Sequence, residues 1–391
     1  MQPLNKDSRT LAIYNPMSNK ILLRSHTSLR EDDVSGGAAR LMKNLARALS
    51  ETGWDVHILS PASLTNEYDN QSDISYIEFD YGNPQSSLET IINTVRGVST
   101  YRETIKDENY NIILDDISHF PYYPMHLSHP EETVNAVFMH TAFFGAAREY
   151  VGPLRGTVIE FIDRTLPYLN NPEIICAGSG TADRIHRKTG YSSTHILHPC
   201  IDMDKFEYNF MPESSTILYL GRLGERKNVS CLLRAWRIIE NKTERDVSLV
   251  IAGSGPKMDE LRRLSVDLGL TNIDFLGYVE ESEKQRLFEE SLLYVLPSKM
   301  EGYVTTGIEA LATGTPVVGS DTFGINDYIQ HGETGYLFPV NDHEELARQV
   351  LDLVSNPKQM RPIAERGREL ALQHSYEEFK LQADNLFSEI I

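Results

Sequence analysis

The feature that most restricts how this chain can fold is a repeated change of hydrophobic period. Short β-prone apolar runs alternate with stretches whose apolar residues recur at helical spacing. In the first half the strand candidates are Leu11–Asn15, Asp55–Leu59, Ile74–Phe79, Asn111–Leu114, Val134–Met139, Glu173–Ala177 and Thr194–Leu197. In the second half they are Thr216–Leu220, Ser248–Ala252, Ile273–Leu276, Leu292–Leu296, Thr315–Val318 and Gly335–Phe338. Helical patterns lie between most of them, among them Ala38–Glu51, Val229–Asn241, Lys257–Leu268 and Glu281–Glu290. Apolar strands alternating with helices predict an α/β protein with parallel sheets covered on both faces.

At 391 residues the chain exceeds one ordinary core. The alternation restarts near Thr216, after the irregular stretch HPCIDMDKFEYNFMPESS (His198–Ser215). Two doubly wound, Rossmann-like domains are therefore expected, 1–205 and 206–375, facing each other across a cleft. Open α/β sheets bind ligands at the carboxyl ends of their strands, which would line that cleft.

Composition narrows the class of protein. The apolar fraction of 40% suits a soluble globular protein, and no run of 18 apolar residues exists. Lys6, Asp7, Arg9 and Lys20 interrupt the region where a signal peptide needs an apolar stretch, so a cytoplasmic location is expected. Cys176, Cys200 and Cys231 lack CxxC spacing, which fits a reducing compartment and argues against structural zinc. A net charge of −19 disfavours nucleic acid or an anionic membrane as the main partner, leaving at most peripheral membrane contact. The charge is uneven. Between Glu51 and Met139 only Arg96, Arg102 and Lys106 oppose the acids, whereas Lys20, Arg24, Arg30, Arg40, Lys43 and Arg47 form a basic stretch. The first region reads as a solvated acidic face, and the second suits the entrance for an anionic ligand.

Four segments carry candidate chemistry. In SGGAARLMKNLARALSETGW, Gly36 and Gly37 open an amphipathic helix and let a phosphate approach its free N–H groups. In YLGRLGERKN, Arg222 and Lys227 follow a strand end and suit a diphosphate, since both offer charge-assisted bonds. LVIAGSGPK lacks the third glycine of the dinucleotide fingerprint, which disfavours a hydride-transfer cofactor. In MEGYVTTGIEALATGTPVV, Glu301 falls before a helix that begins near Thr305, and Glu309 falls inside it. The helix start favours an anion, and the two carboxylates can grip different polyols on either side of a diphosphate. They do not read as the acid/base pair of a hydrolase.

These segments, with the Gly-Thr-Pro-Val strand and GETGYLF (Gly332–Phe338), together resemble family 4 of the retaining glycosyltransferases, with its E-x7-E arrangement. Gly36-Gly37 is similar to the family's glycine pair, VFMHTAFFG to the segment that carries its strand-end histidine, here His140, and CAGSGTADRIHRKTG followed by HPCIDMDKF to its approach to the linker. The resemblance implies the GT-B fold, with the last helix, 376–391, crossing back onto the first domain. It implies that Glu309 binds the nucleotide ribose and Glu301 the donor-sugar hydroxyls. Arg222 and Lys227 would neutralise the diphosphate, Val279 would meet the base through main chain, and His140 would lie near the transferred sugar. Gly302, Tyr303, Thr305 and Thr306 complete the expected donor site. The chain departs from the family's pattern at EGYVTTG, where threonine hydroxyls either contact phosphate or tighten the turn. It departs again at TFGINDY (Thr322–Tyr328), and in the long polar stretch MSNKILLRSHTSLREDDV before Gly36.

Two decoys complete the reading. Asp202 and Asp204 match the Asp-x-Asp of metal-dependent transferases but sit in the linker, and His119, His126 and His129 are interrupted by prolines and share no helical face. No metal and no cofactor are expected. The implied function is transfer of a sugar, with retention, from a UDP- or GDP-sugar to a carbohydrate, lipid-linked or small-molecule acceptor. Catalysis would rest on His140, Glu301, Arg222 and Lys227. The alternatives are a nucleotide-sugar epimerase of the same architecture and a non-catalytic, transferase-like partner subunit.

Overall fold

The computed structural model describes residues 19–25, 29, 36–61, 74–79, 98–106, 108–117 and 130–391. Two parallel sheets organise them, each covered by helices. The first has seven strands: β1 (Lys20–Arg24), β2 (Asp55–Pro61), β3 (Ser75–Phe79), β4 (Ile112–Ile117), β5 (Val134–Met139), β6 (Glu173–Cys176) and β7 (Thr194–Ile196). Their spatial order is β3-β2-β1-β4-β5-β6-β7. The second has six: β8 (Thr216–Leu220), β9 (Ser248–Ala252), β10 (Ile273–Gly277), β11 (Leu293–Leu296), β12 (Val317–Ser320) and β13 (Tyr336–Phe338), in the order β10-β9-β8-β11-β12-β13. Each order reverses direction once, between β1 and β4 and between β8 and β11. Crevices at such switch points are where doubly wound sheets take ligands.

One expectation needs correction. The leader before Gly36 reads as polar, yet its segment KILLR is the central strand β1, paired in parallel with β2 and β4. Only three residues, Ile21, Leu22 and Leu23, carry the apolar signal, and all are fully buried. Arg24 ends the strand fully buried against Asp115, so its charge hides the strand from a hydropathy reading. Leu11–Asn15, the expected first strand, lies outside the described residues.

The chain passes twice between the two sheets, and the crossings lie side by side. Ile201, in the linker, bridges to Ser375, and its N–H donates to the His374 carbonyl at 2.8 Å. The helix Tyr376–Glu389 then packs on the helix Gly37–Glu51. It buries Phe379, Ala383 and Phe387 in the core of the first sheet. Trp54 fixes this docking with an edge contact to Phe387 at 6.2 Å and an indole N–H bond to Asp384 Oδ1 at 3.0 Å. Truncating a fully buried Phe in such a seam commonly costs 3–5 kcal/mol.

At the crossing, His198, Tyr303 and His374 form a stack, with Tyr303 4.8 Å from His198 and 5.7 Å from His374 between ring centroids. The Tyr303 hydroxyl bonds His374 Nε2. Burial pushes the His374 imidazole down to about 4, and neighbouring His198 adds to that effect. The neutral form therefore belongs to the folded state, while the unfolded chain takes up a proton near the usual histidine value. The stability that follows is present above pH 6.5 and is lost as pH falls from there towards 4. Thermal melts from pH 7 to 4.5 should show a falling midpoint that His374→Gln flattens. Parallel curves for the two proteins would remove His374 from the account.

Candidate functional site

Glu301 lies in the loop after β11, and Glu309 lies in the helix Thr305–Thr313 that follows. Both carboxylates are buried, at 5% and 3% exposure. A buried carboxylate needs partners, and each has cations. Lys227 Nζ stands 2.8 Å from Glu301 Oε1, and Arg226 stands 3.3 Å from Oε2. Burial, the largest influence, works to raise the Glu301 pKa, but Lys227, Arg226 and Ser298 overcome it and the carboxyl ionises below its ordinary range. Lys284 Nζ grips both Glu309 oxygens, at 3.0 and 2.9 Å, and also reaches Glu281 at 2.8 Å. From the first domain, Arg40 approaches both Glu309 and Glu281 at 3.8 Å. Arg40 belongs to the first turns of the helix that Gly36 and Gly37 open, so this exposed glycine turn faces the second domain.

Local structure explains the placement of Arg226 and Lys227. They occupy a 3₁₀ turn, Glu225–Lys227, ended by Asn228 in the left-handed conformation. Asn tolerates that conformation better than most residues. Its side-chain amide donates to the Pro297 carbonyl at 3.1 Å and to Asn341 Oδ1 at 3.0 Å, tying the turn to the end of β11. Lys299 closes the other side, its N–H on the Arg226 carbonyl at 2.8 Å and its Nζ 2.7 Å from Glu225. Arg222, by contrast, is exposed. Its carbonyl accepts from the Tyr219 hydroxyl at 3.2 Å, and among the described residues its guanidinium has no recorded partner. The glycines of LVIAGSGPK serve packing. A side chain at Gly253 would fall 2.0 Å from the Gly221 carbonyl oxygen, so the turns after β8 and β9 interlock.

The helix start offers the N–H groups of Thr305 and Thr306, which precede any intrahelical acceptor. The Tyr294 hydroxyl lies 2.8 Å from the Leu220 carbonyl and 2.9 Å from Thr306 Oγ1. A carbonyl only accepts, so Tyr294 donates to it and Thr306 donates to Tyr294. The Thr306 hydroxyl thus tightens the turn, while its N–H stays at the helix start. The Tyr303 ring lies in the crossing stack described above. Val279 is half-buried after β10 and packs on the second domain's core.

His140, at the end of β5, faces this loop. Its Nε2 lies 2.7 Å from Asp116 Oδ1, and Asp116 is buried at the end of β4. The approach of the two domains is tight here: a side chain at Gly302 would meet the His140 carbonyl oxygen at 1.8 Å. Only glycine permits that contact. The departure TFGINDY also meets the first domain, with Phe323 against Gly180 and Asp327 Oδ1 accepting from the Ser179 hydroxyl at 3.1 Å.

Sequence reasoning missed Arg226, Lys284 and Asp116, and it named Arg40 only as one of a basic stretch. Lys284 had a signal: it shares a helix face with the buried Leu287 and Phe288, where a lone cation demands a buried anion. Asp115 and Asp116 had one too, as paired carboxylates closing an apolar strand. Asp202 and Asp204 are exposed in the linker, with Asp202 3.5 Å from Lys205. His119, His126 and His129 lie outside the described residues, among which no group of three metal-ligating side chains converges.

Comparison with known proteins places each half of the chain beside a glycosyltransferase family. Residues 35–205 match Glycosyltransferase Family 4, and residues 201–370 match Glycosyl transferases group 1, so the two models together span most of the chain. It is 30% identical to the N-acetyl-alpha-D-glucosaminyl L-malate synthase of Bacillus anthracis, over 45% of this chain and 44% of that one. It is 28% identical to a Campylobacter jejuni alpha-1,4-N-acetyl-D-galactosaminyltransferase whose name specifies a PP-undecaprenol glycan, over 51% of this chain and 57% of that one. The alignments thus span about half the length of the curated relatives. The fold matches Anabaena HepE, solved with UDP and glucose, with a TM-score of 0.72 at 17% identity, covering 95% of this chain and 100% of that one. The two-sheet architecture is therefore the GT-B fold.

The Lys284–Glu309 pair gives a direct test of the site's electrostatics. Removing one partner of a buried pair commonly costs about 3 kcal/mol, because the other charge stays buried and uncompensated. Lys284→Met should lower stability by about that amount in urea melts, and adding Glu309→Leu should restore most of it. A double variant as unstable as the sum of the singles would show that the two charges are not coupled.

Proposed function

We propose that the protein transfers a sugar from a nucleoside diphosphate sugar to an acceptor hydroxyl, with retention at the anomeric carbon and without a metal ion. One observation carries the reading: two buried, cation-bound carboxylates flank the start of the helix Thr305–Thr313, opposite His140 across the cleft. Glu309, gripped by Lys284 and approached by Arg40, would accept from ribose hydroxyls. Glu301 would accept from the hydroxyls of the donor sugar. Between them, the first N–H groups of the helix, together with Lys227 and the exposed Arg222, supply positive potential where a diphosphate leaves.

In the transfer, the bond between the anomeric carbon and the diphosphate oxygen breaks, and an acceptor oxygen bonds to that carbon. The acceptor proton passes to the departing phosphate. Among the described residues, Glu301 is committed to Lys227 and Arg226 and so is shielded as a nucleophile. This supports a same-face substitution through an oxocarbenium-like state. His140, oriented by Asp116, would hold the sugar from the first domain. The cations already at the diphosphate position favour metal independence. A UDP- or GDP-sugar donor and a carbohydrate or lipid-linked acceptor fit the names of the relatives, and the three buried free thiols fit a cytoplasmic location.

The decisive experiment follows donor turnover by NMR with UDP-, GDP- and ADP-sugars, in EDTA, using water as acceptor when no other is known. The first-formed sugar should keep the donor's anomeric configuration. Glu309→Gln should weaken donor binding roughly 10- to 100-fold, the equivalent of a charge-assisted bond of about 1.5–3 kcal/mol. An inverted product, or activity lost in EDTA and restored by Mn²⁺, would overturn the mechanism.

A further inference from the structure

We infer that the helix Pro153–Thr165 is an in-plane docking surface for an anionic lipid bilayer. Three large apolar side chains stand exposed on it: Leu154 at 85%, Val158 at 45% and Phe161 at 60%. Their spacing of four and three residues puts them on one face of the helix. Tyr168, just beyond the helix, is exposed at 63%, and tyrosine suits the headgroup level of a membrane.

The charges on this element are sorted. Both of its carboxylates point inward: Glu160 is buried 3.9 Å from Arg148, and Asp163 is fully buried, accepting from the Phe143 N–H at 2.8 Å. Arg164 is exposed on the helix; beside it Arg148 is exposed, as is Glu149, which lies 3.4 Å from Lys299. The helix therefore shows solvent apolar and cationic groups and no carboxylate, although the chain as a whole carries −19. An amphipathic helix of this make-up binds lipid interfaces through apolar burial plus attraction to anionic headgroups.

The position gives the surface a purpose. Asp163 clamps the loop that follows His140, and Arg184 holds the carbonyls of Ala142 and Phe143 at 2.9 and 2.8 Å. Docking this face would set the mouth of the acceptor side at the lipid interface, where a lipid-linked hydroxyl would arrive.

Sedimentation of the full chain with vesicles tests the inference without any turnover. The protein should partition to phosphatidylcholine vesicles containing about a third phosphatidylglycerol, and weakly to phosphatidylcholine alone. Leu154→Glu with Phe161→Glu should lower that partition about tenfold or more, with an unchanged circular dichroism melt and unchanged donor hydrolysis. Arg164→Glu should weaken binding and reduce its salt dependence. Three results would overturn the inference: no partition of the wild type, partition of the double variant equal to it, or a wild-type dimer by light scattering that the double variant dissolves. Donor hydrolysis, read separately, keeps this outcome apart from that of the transferase assignment.

Discussion

Burying a carboxylate is the costly step on which the donor loop is built. Glu301 and Glu309 sit almost out of water beside the start of one helix, and a buried carboxylate needs charged partners. Lys227 and Arg226 reach the first, and Lys284 reaches the second. The need to hold those cations explains features that are otherwise unrelated. Asn228 adopts a left-handed conformation to stop the Arg226–Lys227 turn, its amide spans to β11, and Lys299 braces the other side. The same need puts a lysine on the inward face of the helix Glu281–Glu289. The outcome is a rigid arrangement of fixed charges, which is what favours charge developing on a leaving group without solvent rearrangement.

The period changes made the alternating architecture legible, and strands such as Val134–Met139 and Thr216–Leu220 are mostly apolar runs. β1 was not legible, because its three apolar residues sit between charged ends and Arg24 is neutralised by Asp115, ninety-one positions away. The site divides in the same manner. Glu301, Glu309 and Lys227 belong to short local motifs, and the fold brings them together. Arg226 competes with Arg222 as the cation of one turn, and only the three-dimensional path of that turn separates their roles. Tyr303 stands in the motif but points into the crossing stack, since the aromatic partners that claim it, His198 and His374, come from distant segments.

Interdomain contact and donor chemistry share one short loop. Glu301, Gly302 and Tyr303 are consecutive, yet they meet the cations, the His140 carbonyl and the crossing stack respectively. A shift of one domain against the other therefore moves this loop directly. Asp116 holds His140 on the facing strand end, so both sides of the approach are oriented by buried groups.

The return of the last helix has a consequence for how the chain is made. Phe379, Ala383 and Phe387 are fixed parts of the core that Ile21, Leu45 and Trp54 begin. During synthesis, the first domain emerges early but lacks this wall until the ribosome has released residues beyond Phe387. At translation rates of about 5–20 residues per second, the first domain waits roughly ten seconds or more while the later domain is made. The half that leaves the ribosome first is thus completed last, and through that interval its exposed seam is a natural substrate for chaperones.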